Sequence, residues 1–344
     1  MSEHTIAATL MRGGTSKGVF VDAADLPPPG ERRDHFILAL LGSPDPMQIN
    51  GLGGTYSSTS KLMAVSASDH QDCDVDYLFA QVGVEQPVVD YQGNCGNLTT
   101  AVAPFALDEG MVGGAGAQAT VTLRNLNTGV RVRSTVPLHD GRAAVEGDTS
   151  VAGVPGTGPA IVTDYLDPGG SVLGSVLPTG KAQELIELPD GSAIEASIID
   201  VTSPHAFVRQ ADVDLDDLAR LEAIRAACGE AVGLDSLAVP RLVIVDPPAD
   251  AAADIECRAT SMQRVHHAMP MTGALCTAAA AGLDGTIPNE TASGPDVAPG
   301  KLRLRHPKGV VELRAEVIGS EVRSVGVTRT ARRLFRGHAF VVIP

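Results

Sequence analysis

The chain has 344 residues, of which 44% are hydrophobic, 19% charged and only 3% aromatic, with no Trp. That balance excludes a disordered chain, and at roughly 100–200 residues per domain it leads us to expect two domains with cores of Ala, Val, Leu and Ile. The net charge of −15, from 41 acidic and 26 basic residues, argues against a nucleic-acid partner, because such a surface repels phosphate backbones.

The opening MSEHTIAATLMRGG lacks the basic start and long apolar core of a signal peptide. No stretch reaches the ~18 apolar residues that span a bilayer. Cys73, Cys95, Cys228, Cys257 and Cys276 make an odd set without a CxxC pair, so neither a disulfide framework nor a metal knuckle is expected. A cytoplasmic protein without membrane contact is the expectation.

In chain order, Thr15–Leu26 reads as a turn, a short strand around Phe20-Val21 and a second turn. An amphipathic helix is predicted over 31–41. Leu62-Met63-Ala64-Val65 is a buried-strand run. An Ala-rich buried helix begins near Gly96 and stops at Leu107-Asp108-Glu109-Gly110. Gly114-Ala115-Gly116 follows a helix and precedes a strand, the reverse of a dinucleotide loop, so it reads as a turn. Residues 118–126 alternate as a strand, and GVPGTG over 153–158 reads as loop. Thr202–Val213 repeats the turn–strand–turn pattern. A helix is predicted over 212–227, with Leu215, Leu218, Leu221 and Ile224 on one stripe and Asp212, Asp214, Asp216 and Asp217 complementing its dipole. Strands are expected over 241–246, 301–305 and 310–317, and a second Ala-rich helix runs from about 273 to Leu283-Asp284-Gly285.

Two ordered matches point to an internal duplication. Thr15-Ser16…Phe20-Val21…Ala24-Asp25 aligns with Thr202-Ser203…Phe207-Val208…Ala211-Asp212, and Gly96–Ala103 aligns with Gly273–Ala280. We therefore expect two similar halves, 1–180 with a central helix from about 95 and 181–344 with one from about 273, terminal strands crossing between them.

Three polar clusters could carry chemistry. Met11–Gly18 (MRGGTSKG) combines glycines, which admit a ligand to the backbone, with hydroxyls and cations suited to an anion. A hairpin turn with solvated Arg12 and Lys17 is the plainer reading. In the second, Thr55–Ser60 are all hydroxyl residues and end at Lys61, at the mouth of an apolar run where desolvation can turn a lysine into a base. A solvated Ser/Thr loop is its alternative. In the third, Gly93–Asn97 (GNCGN), Cys95 falls at a helix N-terminus, where amides and dipole lower a thiol pKa and bind carboxylates. A structural buried Cys is the commoner case, but Asn and Gly flank this one.

MRGGTSKG, Ser57–Lys61 (SSTSK), Asp74–Gln81 (DVDYLFAQ) and GNCGN together resemble the PrpF family, over most of the chain from about residue 10 to the helix at 273–282. That family includes 2-methylaconitate cis-trans isomerases and 4-oxalomesaconate tautomerases. The resemblance implies an α/β diaminopimelate-epimerase-like fold: two pseudo-symmetric halves, each a mixed sheet wrapped around a central helix, with the active site in the cleft between them. Diaminopimelate epimerases use a Cys at the head of each helix. Here the repeat sets Cys95 opposite Thr272, so a two-thiol mechanism is disfavoured. The resemblance instead implies Lys61 and Cys95 as the catalytic pair, moving a proton through a dienolate. It assigns substrate binding to Arg12, Thr15, Ser16, Lys17, Ser57, Ser58, Thr59, Ser60, Asn94, Gly96, Asn97, Met271, Thr272 and Gly273. The amides at Gly96-Asn97 and Thr272-Gly273 would support the developing charge.

No cofactor and no metal are expected, and the partner is a small polycarboxylate. A homodimer is an expectation from size and class only. His266 and His267 read as packing or rim residues. The readings from other classes are a non-catalytic anion-binding module and a thiol-redox protein, the latter weakened by the lack of a Cys near Cys95.

Overall fold

The computed structural model describes residues 2–292 and 300–343. The chain divides into two compact units, Met1–Thr163 with Arg329–Pro344, and Asp164–Thr328. This differs from the expected boundary at 180/181. The C-terminal strand Ala331–Ile343 lies antiparallel along β1 (Ser2–Gly13) over its whole length, so backbone pairing assigns the last residues to the first unit.

In the first unit β1 turns at Gly14-Thr15 into β2 (Ser16–Asp22). The turn is two residues long and Gly14 takes a positive φ of 48°, a conformation glycine adopts without strain. β2 runs parallel to β3 (Lys61–Ala67), which is antiparallel to β4 (Val75–Val82). β4 is parallel to the strand Gln118–Asn125, itself antiparallel to Arg131–His139. Between β2 and β3 sits α1 (Glu31–Leu41), as predicted. Phe36, Ile37, Leu40 and Leu41 pack on one face of the sheet, against Val19, Val21, Leu62, Ala64, Ala80 and Val82. Side chains of opposite parity face α2 (Gly96–Asp108), whose residues Gly96–Leu107 are all buried. Phe20 meets Phe105 at 5.5 Å and Tyr77 reaches Thr99. Lys61, Met63 and Val65 on β3, with Phe79 and Gln81 on β4, share that inner parity. The strand pattern therefore turns Lys61 toward the helix.

The second unit repeats this order and polarity. Ala193–Asp200 is antiparallel to Pro204–Arg209, which is parallel to Arg241–Asp246. That strand is antiparallel to Ile255–Ser261, which is parallel to Lys301–His306, in turn antiparallel to Gly309–Ile318. Both matched strands end in a one-turn 3-10 helix, Ala23–Asp25 and Gln210–Asp212. The counterpart of α1 is α3 (Leu218–Ala231), and that of α2 is α4 (Met271–Ala280), buried throughout.

Two local expectations are corrected. The helix predicted over 212–227 begins only at Leu218, because Asp217 takes the N-cap and accepts from Arg220 N–H. Leu221 and Ile224 are buried, whereas Leu218 is 43% exposed. The GVPGTG stretch is not loop: Val154–Gly158 pairs with Thr149–Val151 as a small hairpin. Among the described residues no helix is long and apolar enough to cross a membrane.

Candidate active site

The three polar clusters, far apart in sequence, meet in the first unit. Gly13, Gly14 and Gly18 lie so close to α2 and β3 that a Cβ would stand 2.3 Å from the Asn97 carbonyl, 2.2 Å from Asn97 Oδ1 and 2.6 Å from Leu98 Cδ1, respectively. Those glycines let the β1–β2 hairpin rest on the first turn of the helix. Asn97 Nδ2 donates to Thr15 Oγ1 at 3.2 Å, and the Cys95 thiol lies 3.9 Å from Ser16 Oγ. Lys17 N–H donates to the Ser58 carbonyl at 2.9 Å.

Lys61 opens β3 and is 5% exposed. Its Nζ donates to Gln81 Oε1 at 2.7 Å and stands 5.2 Å from the centre of the Phe79 ring, within cation–π range. Cys95 is the N-cap of α2, where the first amides of the helix are unpaired within it. Asn94 Oδ1 accepts from Cys95 N–H at 2.7 Å. Thr99 Oγ1 lies 3.1 Å from the Cys95 carbonyl and 3.2 Å from Tyr77 Oη, and Asn125 Nδ2 donates to Tyr77 Oη at 3.0 Å. Burial pushes the Tyr77 phenol up to about 12, so it stays a neutral hydroxyl and braces the loop that carries the thiol.

The predicted binding residues divide by what already holds them. Arg12 donates to the carbonyls of Gly14 and Thr330 at 3.1 and 2.8 Å; burial, then Arg332, lowers its pKa. It serves first as a pin for the hairpin. Ser60 Oγ accepts from Gln48 Nε2 at 2.7 Å, and Thr59 Oγ1 closes a turn on Tyr56. Ser58 Oγ is buried and makes no hydrogen bond among the described residues, while Thr15, Lys17 and Ser57 are half-buried.

Met271, Thr272 and Gly273 form the first turn of α4 in the second unit. Thr272 Oγ1 accepts from Arg241 at 2.9 Å and lies 3.5 Å from His205 Nε2. Burial, then the Arg241 charge, pushes His205 down to about 3, so its imidazole is neutral. The parallel strand pairs give this trio a meaning. His205 stands opposite Arg241, and Gly18, one residue before the Val19–Leu62 pair, lies against Lys61, so Arg241, His205 and Thr272 take the places of Lys61, Gly18 and Cys95.

The sequence reading missed Arg241, His205, Tyr77 and the individual role of Gln81. Carrying the repeat as far as the strand after each predicted helix, KLMAV against RLVIV, would have exposed Arg241. The His266 and His267 rings stack 4.8 Å apart, with His266 buried and His267 exposed. Burial raises the Cys73, Cys228, Cys257 and Cys276 thiols, which leaves them poor nucleophiles. Among the described residues no group of His, Cys, Asp and Glu is arranged to hold a metal ion.

The chain is 37% identical to the 3-methylitaconate isomerase of Eubacterium barkeri over 98% of its length and 97% of that protein. It is 35% identical to the 4-oxalomesaconate tautomerase of Pseudomonas putida, over 98% and 96%, and 35% identical to the 2-methyl-aconitate isomerase of Shewanella oneidensis, over 98% and 97%. The solved structure of a methylitaconate-delta-isomerase superposes with a TM-score of 0.78 at 37% identity, over 99% of this chain and 96% of the other. A hydroxyproline epimerase from Agrobacterium vitis, at 11% identity, covers 98% of this chain and 92% of its own with a TM-score of 0.62, which shows that the fold is of the epimerase type. The PrpF protein family profile matches residues 3–342, and the chain belongs to that family.

Proposed function

We propose that this protein is an isomerase that moves a proton within an unsaturated di- or tricarboxylic acid through a dienolate. Lys61 acts as the base and Cys95 as the second proton handler. The observation that carries this reading is the convergence of a buried Lys61 Nζ and a Cys95 at the head of a buried helix, tied together through Ser16 and Lys17 at the start of β2. Removing a proton from a carbon conjugated to an alkene and a carboxylate gives a delocalised anion. Returning it at the far end of the allylic system moves the double bond, and returning it to the same carbon after bond rotation exchanges cis and trans. The amides at the start of α2, which have no acceptor within the helix, suit the developing charge. Ser58, Ser57, Thr15 and Lys17 are the best-disposed carboxylate donors, while Arg12, Met271, Thr272 and Gly273 enter on the family resemblance. The chemistry needs no cofactor.

Among substrates, 2-methylaconitate is the first choice and 4-oxalomesaconate the alternative. The curated relatives add 3-methylitaconate, and their identities of 35–37% do not separate the three. Incubation with each acid in D₂O, followed by NMR of the vinyl protons, tests the proposal. One acid should isomerise with deuterium entering its allylic position. Tight binding of all three without exchange would instead identify a non-catalytic anion-binding module.

A further inference from the structure

Gln81 lies on the inner face of β4 and is fully buried. Its Nε2 donates to the carbonyls of Ser57 and Ser60, both at 3.1 Å, and its Oε1 accepts from Lys61 Nζ at 2.7 Å. The amide can sit only one way round. Flipped, its oxygen would face two carbonyl oxygens and its NH₂ an ammonium, leaving all three contacts repulsive. One side chain therefore couples the lysine to the hydroxyl-rich turn. That turn is also clamped by Lys17 N–H on the Ser58 carbonyl at 2.9 Å and by Gln48 Nε2 on Ser60 Oγ at 2.7 Å.

The chemistry of the acceptor matters as much as its position. A carboxylate at this distance would hold the lysine as an ammonium. A neutral amide accepts one N–H from either the ammonium or the amine. Lys61 can therefore keep its place in both protonation states, and in the amine the lone pair points away from Gln81.

We propose that Gln81 is the positioning residue of the reaction, fixing Lys61 Nζ and the Ser57–Ser60 turn as one unit before and after proton transfer. The inference rests on the reading of Lys61 as the proton-transfer group. The ionisable groups on the elements around Lys61 include Arg12 and Lys17 on the β1–β2 hairpin, Tyr77 on β4, Cys95 at the head of α2, and Asp90, which pairs with Gln81 across the sheet, while Asp76 on β4 has the opposite parity and is held by Arg124.

Gln81→Glu tests the charge argument while those groups stay unchanged. In protein carrying ¹³C-lysine, the midpoint of the Lys61 Cε titration should rise by about one to three pH units. The acidic limb of kcat/KM should move with it. Gln81→Met keeps the length but lacks all three hydrogen bonds. It should lower kcat about 10- to 100-fold, with a smaller change in KM, an unmoved acidic limb and a native far-UV circular dichroism spectrum. A Lys61 midpoint unmoved in Gln81→Glu, or a native kcat in Gln81→Met, overturns the proposal. A midpoint that follows Gln81→Glu while the rate profile does not would uphold the grip of Gln81 on the lysine and sink instead the reading of Lys61 as the base.

Discussion

Gly13→Ala is the sharpest probe of how the site is assembled. Gly13 pairs with Ser16 across the hairpin, and its added Cβ would stand 2.3 Å from the Asn97 carbonyl oxygen and 3.0 Å from Leu98 Cα. Both obstacles are backbone of the first turn of α2, so no rotamer change relieves them. Reaching ordinary van der Waals separation requires a shift of about 1 Å between hairpin and helix. Overpacking of this kind costs about 1–3 kcal/mol, and with backbone on both sides we expect about 2–3. For a unit of about 180 residues this lowers Tm by about 4–12 °C. The same shift separates Ser16 from Cys95 and Thr15 from Asn97, so kcat/KM should fall about 100-fold. The control is Gly113→Ala, where an added Cβ meets nothing within 4 Å and stability should hold or rise by a few tenths of a kcal/mol. Calorimetry and initial rates on both variants decide the matter. A Gly13→Ala protein with native Tm and native kcat/KM would refute the claim that these glycines exist to bring hairpin and helix together.

Three further outcomes are expected. Lys61→Ala should abolish deuterium exchange into substrate while circular dichroism stays native, its stability cost being limited to about 1–3 kcal/mol for the orphaned Gln81 oxygen; near-normal turnover would end the proposed mechanism. Tyr77→Phe leaves Asn125 and Thr99 without their shared hydroxyl, so urea unfolding should show a loss of about 1–2 kcal/mol with kcat falling more than KM rises, and an unchanged kcat would mean that the network does not orient Cys95. For His205, folding lowers the pKa from 6.5 to about 3, so the neutral form is the one that folding favours. Its stabilisation is complete above about pH 6.5 and is lost as pH falls toward 3, on the order of 4 kcal/mol by then. Urea midpoints measured from pH 7 to 4 should fall less steeply in His205→Asn than in the native protein, and equal slopes would count against a buried neutral imidazole.

The sequence alone carried the duplication, the two central helices, α1 and the family. Each of these is written in local pattern or in short runs of residues whose chemistry tolerates little substitution. Lys61 at the start of an apolar strand and Cys95 before an Ala-rich helix were legible for the same reason. The tertiary structure alone decided which groups hold them. Gln81 sits near the end of a largely apolar strand and looks like an ordinary inward-facing position until pairing brings it to Lys61 Nζ, 20 positions earlier in the chain. Arg241 and His205 meet only because two parallel strands set them side by side, a register no sequence window spans. The start of α3 shifted because Asp217 caps the backbone where hydrophobic period gave no boundary. The last strand joined the first unit because its partner is at the other end of the chain. Periodicity and composition report on neighbours along the chain; hydrogen-bond partners and steric contacts are set by neighbours in space, and this site is made of the second kind.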